Sequence, residues 1–176
     1  HLSHGILKLP SGKMGSRKGN VITGEVLIED VENLVQEKIK DREFSDQEKN
    51  EVAEIVAIGA IKYSILRQAI GGDIIFDFDK SLSFEGDSGP YLQYTYVRAN
   101  SVLEKSKSQA PNSKQIQNPN FEIKNWETTE VEKLLYRFPE IVERAGKEYA
   151  PHHLVTYLIE LASSFNSFYA NEKIID

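Results

Sequence analysis

The sequence predicts a mainly α-helical chain: a helix bundle preceded by a short strand-and-loop segment. Three observations carry that prediction. Two capping boxes, Ser45 with Glu48 and Thr129 with Glu132, each stand ahead of an apolar stretch at helical spacing. Two prolines, Pro90 and Pro151, sit where the first turn of a helix tolerates them. Extended patterns are confined to Ile6–Leu9 and to residues 73–87.

Taken in order, Ile6 to Leu9 suits a short strand before Pro10, and the Gly-rich stretch around Gly12, Gly15 and Gly19 reads as a mobile loop. From Glu25 to Lys40, Leu27, Val31, Leu34 and Val35 fit one helical face. The Ser45 box opens a helix whose expected inner face is Val52, Ile55, Val56, Gly59, Tyr63, Leu66 and Ile70, closed by Gly71 and Gly72. In 73–87, Ile74, Phe76 and Phe78 alternate with other residues, which suits an extended connector or a short strand. A helix from Pro90 to about Lys107 is expected to turn Leu92, Tyr96, Ala99, Val102 and Leu103 inward. Residues 108–120 are polar with two prolines and read as a long exposed loop. The Thr129 box opens a helix carrying Val131, Leu134, Leu135 and Phe138 that kinks or restarts at Pro139, with Gly146 closing the next turn. The last helix follows Pro151, with Leu154, Leu158, Leu161, Phe165 and Phe168 in one stripe.

The composition bounds the chemistry. The chain has 176 residues, enough to bury a core without a disulfide or metal staple. It contains no Cys, so a disulfide scaffold, a Cys-ligated zinc site and a thiol nucleophile are excluded. Its four His are His1, His4, His152 and His153, too few and scattered for a metal cluster, and no metal site is expected. No apolar run reaches the ~20 residues that span a bilayer, and the default expectation is a soluble, cytoplasmic protein. The chain begins with His and reads as a piece of something larger. The formal net charge is −6, yet residues 1–24 carry +4 and residues 98–124 carry +3. An acidic average therefore conceals two basic segments.

The sharpest feature is the run Gly12 to Asn20, GKMGSRKGN. Glycines let backbone approach a ligand closely, and Lys13, Arg17 and Lys18 can gather phosphate oxygens. It is no Walker A loop, since Leu7 stands where that motif needs Gly and Met14 where it needs Ser or Thr. An exposed basic loop without a ligand is the plain alternative. The run resembles the KMSKS loop of class I aminoacyl-tRNA synthetases in its longer form KMSKSKGN, and comes close to KMSTRKGN, the version usual in arginyl-tRNA synthetases. A second block, Phe84 to Ala99 (FEGDSGPYLQYTYVRA), is similar to the FEGNTAPYLQYAYARI segment typical of that family. The stretch from Ala57 through Tyr63 to Asp79 resembles its "gigAlkY…FDwd" pattern, and Pro151 to Tyr169 its "PhrLarYLydLAgaFnrFY" helix. Four blocks in order cover nearly the whole chain.

That resemblance implies three parts. Residues 1–24 would end a nucleotide-binding catalytic domain, 25–83 would form stem-contact helices and a connector, and 84–176 would form a helical anticodon-binding domain of the DALR type, truncated at its C-terminal end. It implies an arginine–tRNA ligase that uses ATP, with Mg2+ accompanying the ATP, to activate arginine and transfer it to tRNA(Arg), with no tightly bound cofactor. Lys13 would be the catalytic phosphate-binding lysine, and Lys13, Met14, Gly15, Ser16, Arg17 and Lys18 the ATP-closing loop. The HIGH motif and the final helices would lie outside this piece, which is therefore expected to lack aminoacylation activity alone. A non-catalytic RNA-binding paralogue and a plain helical interaction domain remain as alternatives. The genomic frame upstream of His1 separates the paralogue from the enzyme, and an RNA affinity that vanishes with salt marks the interaction domain.

Aromatic residues supply the candidate RNA contacts. Tyr94 and Arg98 lie four apart and share a helix face turned away from Leu92 and Tyr96, where a tyrosine can stack on a base and an arginine can hold a phosphate. Tyr169, near the end of its helix, is the third candidate, while Phe165 and Phe168 read as core. His152 and His153 read as a helix-start or surface pair, and the acids of 73–87 as a solvated connector.

Overall fold

The computed structural model describes residues 5–10, 23–109 and 128–171. Eight elements follow one another: β1 (Leu7–Lys8), α1 (Gly24–Ile39), α2 (Asp46–Leu66), β2 (Ile74–Ile75), α3 (Phe78–Ser81), α4 (Gly89–Gln109), α5 (Glu130–Lys147) and α6 (His152–Asn171). The expected short strand and all the expected long helices are present. The 108–120 loop lies mostly outside the described residues.

β1 and β2 pair in parallel, Leu7 against Ile74 and Lys8 against Ile75. Parallel neighbours need a long crossover, and α1 with α2 supplies it. Gly5 fits beside Gly72 because it lacks a side chain; a Cβ there would lie 2.0 Å from the Gly72 carbonyl oxygen. Lys8 and Asp73 close the same corner as an ion pair.

Both capping boxes form as the sequence predicts. The Ser45 Oγ accepts from the Glu48 N–H at 3.3 Å, while the Glu48 carboxylate accepts from the Ser45 N–H at 2.8 Å. Thr129 and Glu132 repeat the arrangement at the head of α5. In each box these hydrogen bonds hold the glutamate carboxyl below its usual pKa.

The front core joins α1 to α2. Leu27, Val31 and Val35 of α1 meet Ala53, Ala57 and Ala60 of α2 over Phe76 and Leu82. The Phe76 ring meets Phe78 edge-on, centroids 5.2 Å apart. This corrects the expected inner face of α2. Only Tyr63 of that set is buried, Ile55 is 63% exposed, and Leu66 and Ile70 are exposed. The helix turns its small residues to its neighbours because alanine lets helix backbones approach closely, and it ends at Leu66, before the glycine pair. Leu34 of α1 is also exposed.

α4 is corrected in the same sense. Tyr96 is 71% exposed and Leu103 is exposed, while Leu92, Ala99 and Val102 are half-buried. Thr95 is the buried residue of that span. The start of α4 lies hard against α2, where Gly89 meets the backbone at Gly59.

α5 runs unbroken through Pro139. Buried Tyr157 of α6 donates to the Leu134 carbonyl at 3.0 Å, next to the turn where proline withholds its own hydrogen bond. Leu135 and Phe138 are exposed, which leaves Leu134 as the buried residue of α5. α6 buries Val155, Tyr157 and Ala162, and half-buries the expected leucine–phenylalanine stripe.

The α5–α6 corner does not use Gly146 as its left-handed residue. Tyr149 takes that role at φ 53°. The Ala150 N–H reaches the Ala145 carbonyl at 2.9 Å and the Tyr149 N–H the Gly146 carbonyl at 3.3 Å, the double bond of a Schellman cap. A left-handed conformation costs a non-glycine residue about 1 kcal/mol, and the Tyr149 side chain is 76% exposed. Tyr149→Gly is therefore expected to raise stability by about 0.5–1 kcal/mol, read as a higher urea midpoint at an unchanged m-value. A lower midpoint would show that the tyrosine side chain holds the corner.

Candidate tRNA-binding site

Helices α4 and α6 cross with a polar seam between them. Thr95 sits one turn past Tyr91 and donates to its carbonyl at 2.9 Å. The Asn166 amide donates to the Thr95 hydroxyl at 2.8 Å, and the Asn166 carbonyl oxygen accepts from Arg98 at 2.9 Å. Arg98 is thus anchored from α6 although it belongs to α4. Its guanidinium lies 4.5 Å from the centroid of the Tyr94 ring and 4.7 Å from that of Tyr169. It also donates to the Tyr94 hydroxyl. Phe165 supports Tyr169 from the turn before, ring centroids 6.2 Å apart.

The three residues singled out from sequence as RNA contacts therefore form one cluster. Helical spacing of four brings Tyr94 under Arg98, and the crossing of α4 and α6 brings Tyr169 to the other contact. Tyr94 is 43% and Tyr169 37% exposed, so both rings are reachable from solvent. Among the described residues Arg98 forms no ion pair. Guanidinium carries five donors, of which two kinds of contact, to Asn166 and to Tyr94, use a part. A preset, uncompensated cation between two aromatic rings can hold a phosphate and stack a base beside it.

Asn166 and Thr95 were not identified from sequence. Asn166 interrupts the apolar stripe between Leu161 and Phe168, and a polar residue on a stripe that packs against a neighbour is the signal that marks it.

A second cluster fixes the loop that leads into α4. Tyr63 donates to Asp87 at 2.7 Å, and Arg67 pairs with the same carboxylate at 2.6 Å. Asp87 is left-handed, φ 48°, directly after Gly86 at φ 84°. Burial, with the Asp87 hydrogen bond and charge behind it, pushes the Tyr63 phenol well above its usual range. The phenol is thus a fixed donor at neutral pH. At the α5–α6 corner the His153 ring nitrogen lies 2.6 Å from Glu148, while half-buried His152 keeps its Nδ1 buried without a hydrogen-bond partner among the described residues.

Lys13, Met14, Gly15, Ser16, Arg17 and Lys18 lie outside the described residues. No cluster of metal-ligating side chains occurs among the described residues, and no helix there is long and apolar enough to cross a membrane.

The back of this helical bundle is similar to anticodon-binding domains. Residues 92–176 match the DALR anticodon binding domain family. Over its whole length the chain is 40% identical to an arginine–tRNA ligase of Borrelia turicatae, covering 30% of that protein. It is 36% identical over 99% of its length to one from Pyrococcus abyssi, of which it covers 28%. The arginyl-tRNA synthetase of Thermus thermophilus superimposes with a TM-score of 0.75 at 29% identity, over 98% of this chain and 28% of that one. The Plasmodium falciparum arginyl-tRNA synthetase shares the fold, with a TM-score of 0.69 at 22% identity over 98% of this chain and 29% of that one. The chain is similar over its whole length to arginine–tRNA ligases and spans about 30% of the length of the relatives it matches.

Proposed function

We propose that this chain is the tRNA-gripping part of an arginine–tRNA ligase, and that the whole protein activates arginine with ATP and Mg2+ and transfers it to tRNA(Arg). The observation that carries the reading is the placement of Arg98 between Tyr94 and Tyr169, anchored by Asn166. A splayed base stacks on an exposed tyrosine while the guanidinium takes the neighbouring phosphate or base edge. Residues 84–176 are the anticodon-binding unit, 25–83 the stem-contact helices, and 1–24 the end of the catalytic domain. In the last of these Lys13 and the Met14–Lys18 loop serve ATP. The likeness of the whole chain to arginine–tRNA ligases and the sequence of that loop support this division of labour. A cytoplasmic location follows from the same reading.

The test is tRNA binding by fluorescence anisotropy at low and physiological salt. An arginine-accepting tRNA is compared with the same tRNA carrying a changed anticodon. A preference for the arginine anticodon of about tenfold that survives the salt increase is expected, since one misread base typically costs ~1–3 kcal/mol. Equal weak binding to both that disappears with salt overturns the reading.

A further inference from the structure

A groove of about 330 Å3 runs between α1, α2 and α4. Its walls are largely apolar, with Phe84 and Tyr94 as its aromatic residues. Lys38 in the last turn of α1 and Arg42 just beyond that helix are its charged lining residues among the described residues. Both are exposed, and neither has an ion-pair partner among the described residues. That is notable in a chain of net charge −6, where Lys40, immediately between them, is already paired with Glu37 at 2.5 Å. Phe84 is 56% exposed, an aromatic residue left open to solvent at the groove. Tyr94 belongs to both places: it lines the groove and lies against Arg98.

From this we infer a second nucleotide position on the protein. The groove takes an unpaired nucleotide of the same RNA strand, its base against Phe84 and Tyr94 and its phosphate on Lys38 and Arg42. The proposal rests on the reading that Tyr94 and Arg98 hold tRNA, and extends it along the strand. Two exposed cations without ion-pair partners among the described residues favour an anionic group as occupant, and the shared Tyr94 ring makes the groove continuous with the Arg98 cluster. Aromatic walls beside paired cations are how sequence-tolerant single-strand sites are built. One face of the molecule then runs from α6 across α4 to the end of α1.

The experiment measures the salt dependence of tRNA(Arg) binding for the chain and three variants. The double variant Lys38→Gln/Arg42→Gln removes two phosphate contacts. Its slope of log affinity against log salt is expected to fall by about 1.4 to 1.8 in magnitude, with the anticodon preference kept. Phe84→Ala removes stacking only, and is expected to weaken binding about tenfold at every salt concentration with the slope unchanged. All three substituted positions are exposed, so circular dichroism and thermal unfolding are expected to match the parent. A double variant with the parent slope overturns the inference, and leaves the groove to an apolar small molecule or a protein segment. Arg98→Ala separates the two claims. If it keeps the full anticodon preference while the double variant lowers the slope, the Arg98 reading fails and the groove contact stands. If the parent chain does not bind tRNA, both fail.

Discussion

Replacing Gly89 with alanine is expected to destabilise the fold by about 2 kcal/mol, although alanine is the better helix former. The two effects oppose each other, and their magnitudes decide. Gly89 is the first residue of α4. Propensity and chain entropy favour alanine over glycine within a helix by at most ~1 kcal/mol. Against that, a Cβ on Gly89 would stand 2.5 Å from the Gly59 carbonyl oxygen, 2.7 Å from its carbon and 2.9 Å from the Ala60 nitrogen. All three are main-chain atoms in the middle of α2, so no side chain can swing aside. Either α4 retreats from α2 or the helix start is distorted, and overpacking of this kind costs ~1–3 kcal/mol or more. Gly146 provides the control. It lies in the last turn of α5, and a Cβ there meets nothing within 4 Å. Gly146→Ala is expected to gain up to ~1 kcal/mol. Urea unfolding of both variants reads the contrast. Gly89→Ala at or above the parent midpoint would show that α2 and α4 pack less tightly than the structure has them.

The same pair of glycines shows where the sequence was legible and where it was not. Helix starts were legible because their causes are local: Ser45 and Thr129 satisfy backbone N–H groups three residues away, and a reader needs only that short window. Which side of a helix faces inward is not local. α2 carries a row of large apolar residues and a row of small ones, and periodicity favours the large row. The fold buries Ala53, Ala57 and Ala60 instead, because α1 packs along that row and the start of α4 comes within touching distance of Gly59. Tyr96 was misplaced for a related reason. The surface it was expected to occupy is filled by Thr95, whose hydroxyl is useful only once Asn166 of α6 is opposite it. The left-handed corner shows the limit from the other side. Gly146 is the residue a reader selects, yet the turn falls three residues later at Tyr149, where only the completed Schellman bonds reveal it. The parallel pairing of β1 with β2, with 65 or more residues between partners, has no local signature at all.

The candidate site divides in the same way. Tyr94 and Arg98 were legible as neighbours because four residues separate them on one helix. Tyr169 was selected from its place near a helix end, and its distance from Arg98 was invisible until α6 crossed α4. The basic loop Lys13–Lys18 was legible through its motif, and its geometry lies outside the described residues.

Arg98→Ala is expected to weaken tRNA binding about 100-fold, equivalent to ~2.7 kcal/mol. The size follows from what the guanidinium does at once. It supplies the uncompensated charge at the site, worth more where rings exclude water from one side than on an open surface. It also keeps two tyrosines spaced, at 4.5 and 4.7 Å from its own centre, so that their outer surfaces are preset for a base. Preset geometry avoids ordering side chains on binding, at ~0.5–1.5 kcal/mol for each. Arg98→Lys tests this partition. Lysine keeps the charge, but as a compact ammonium without the planar fork that bonds Asn166 while lying on a ring. If charge alone mattered, lysine would restore binding fully; the expected result is a recovery of no more than about tenfold. Asn166→Ala leaves both rings and the charge in place and removes the anchor from α6. A loss of about tenfold is expected there, with the salt slope unchanged because no phosphate contact is removed. The three variants order as alanine at 98 weakest, then lysine at 98 and alanine at 166 together, then the parent chain. Thermal unfolding separates binding from folding, since trimming a half-buried arginine stem costs ~1 kcal/mol at most. Binding by Arg98→Ala within twofold of the parent would remove this cluster from the tRNA interface and return Arg98 to a structural role at the α4–α6 crossing.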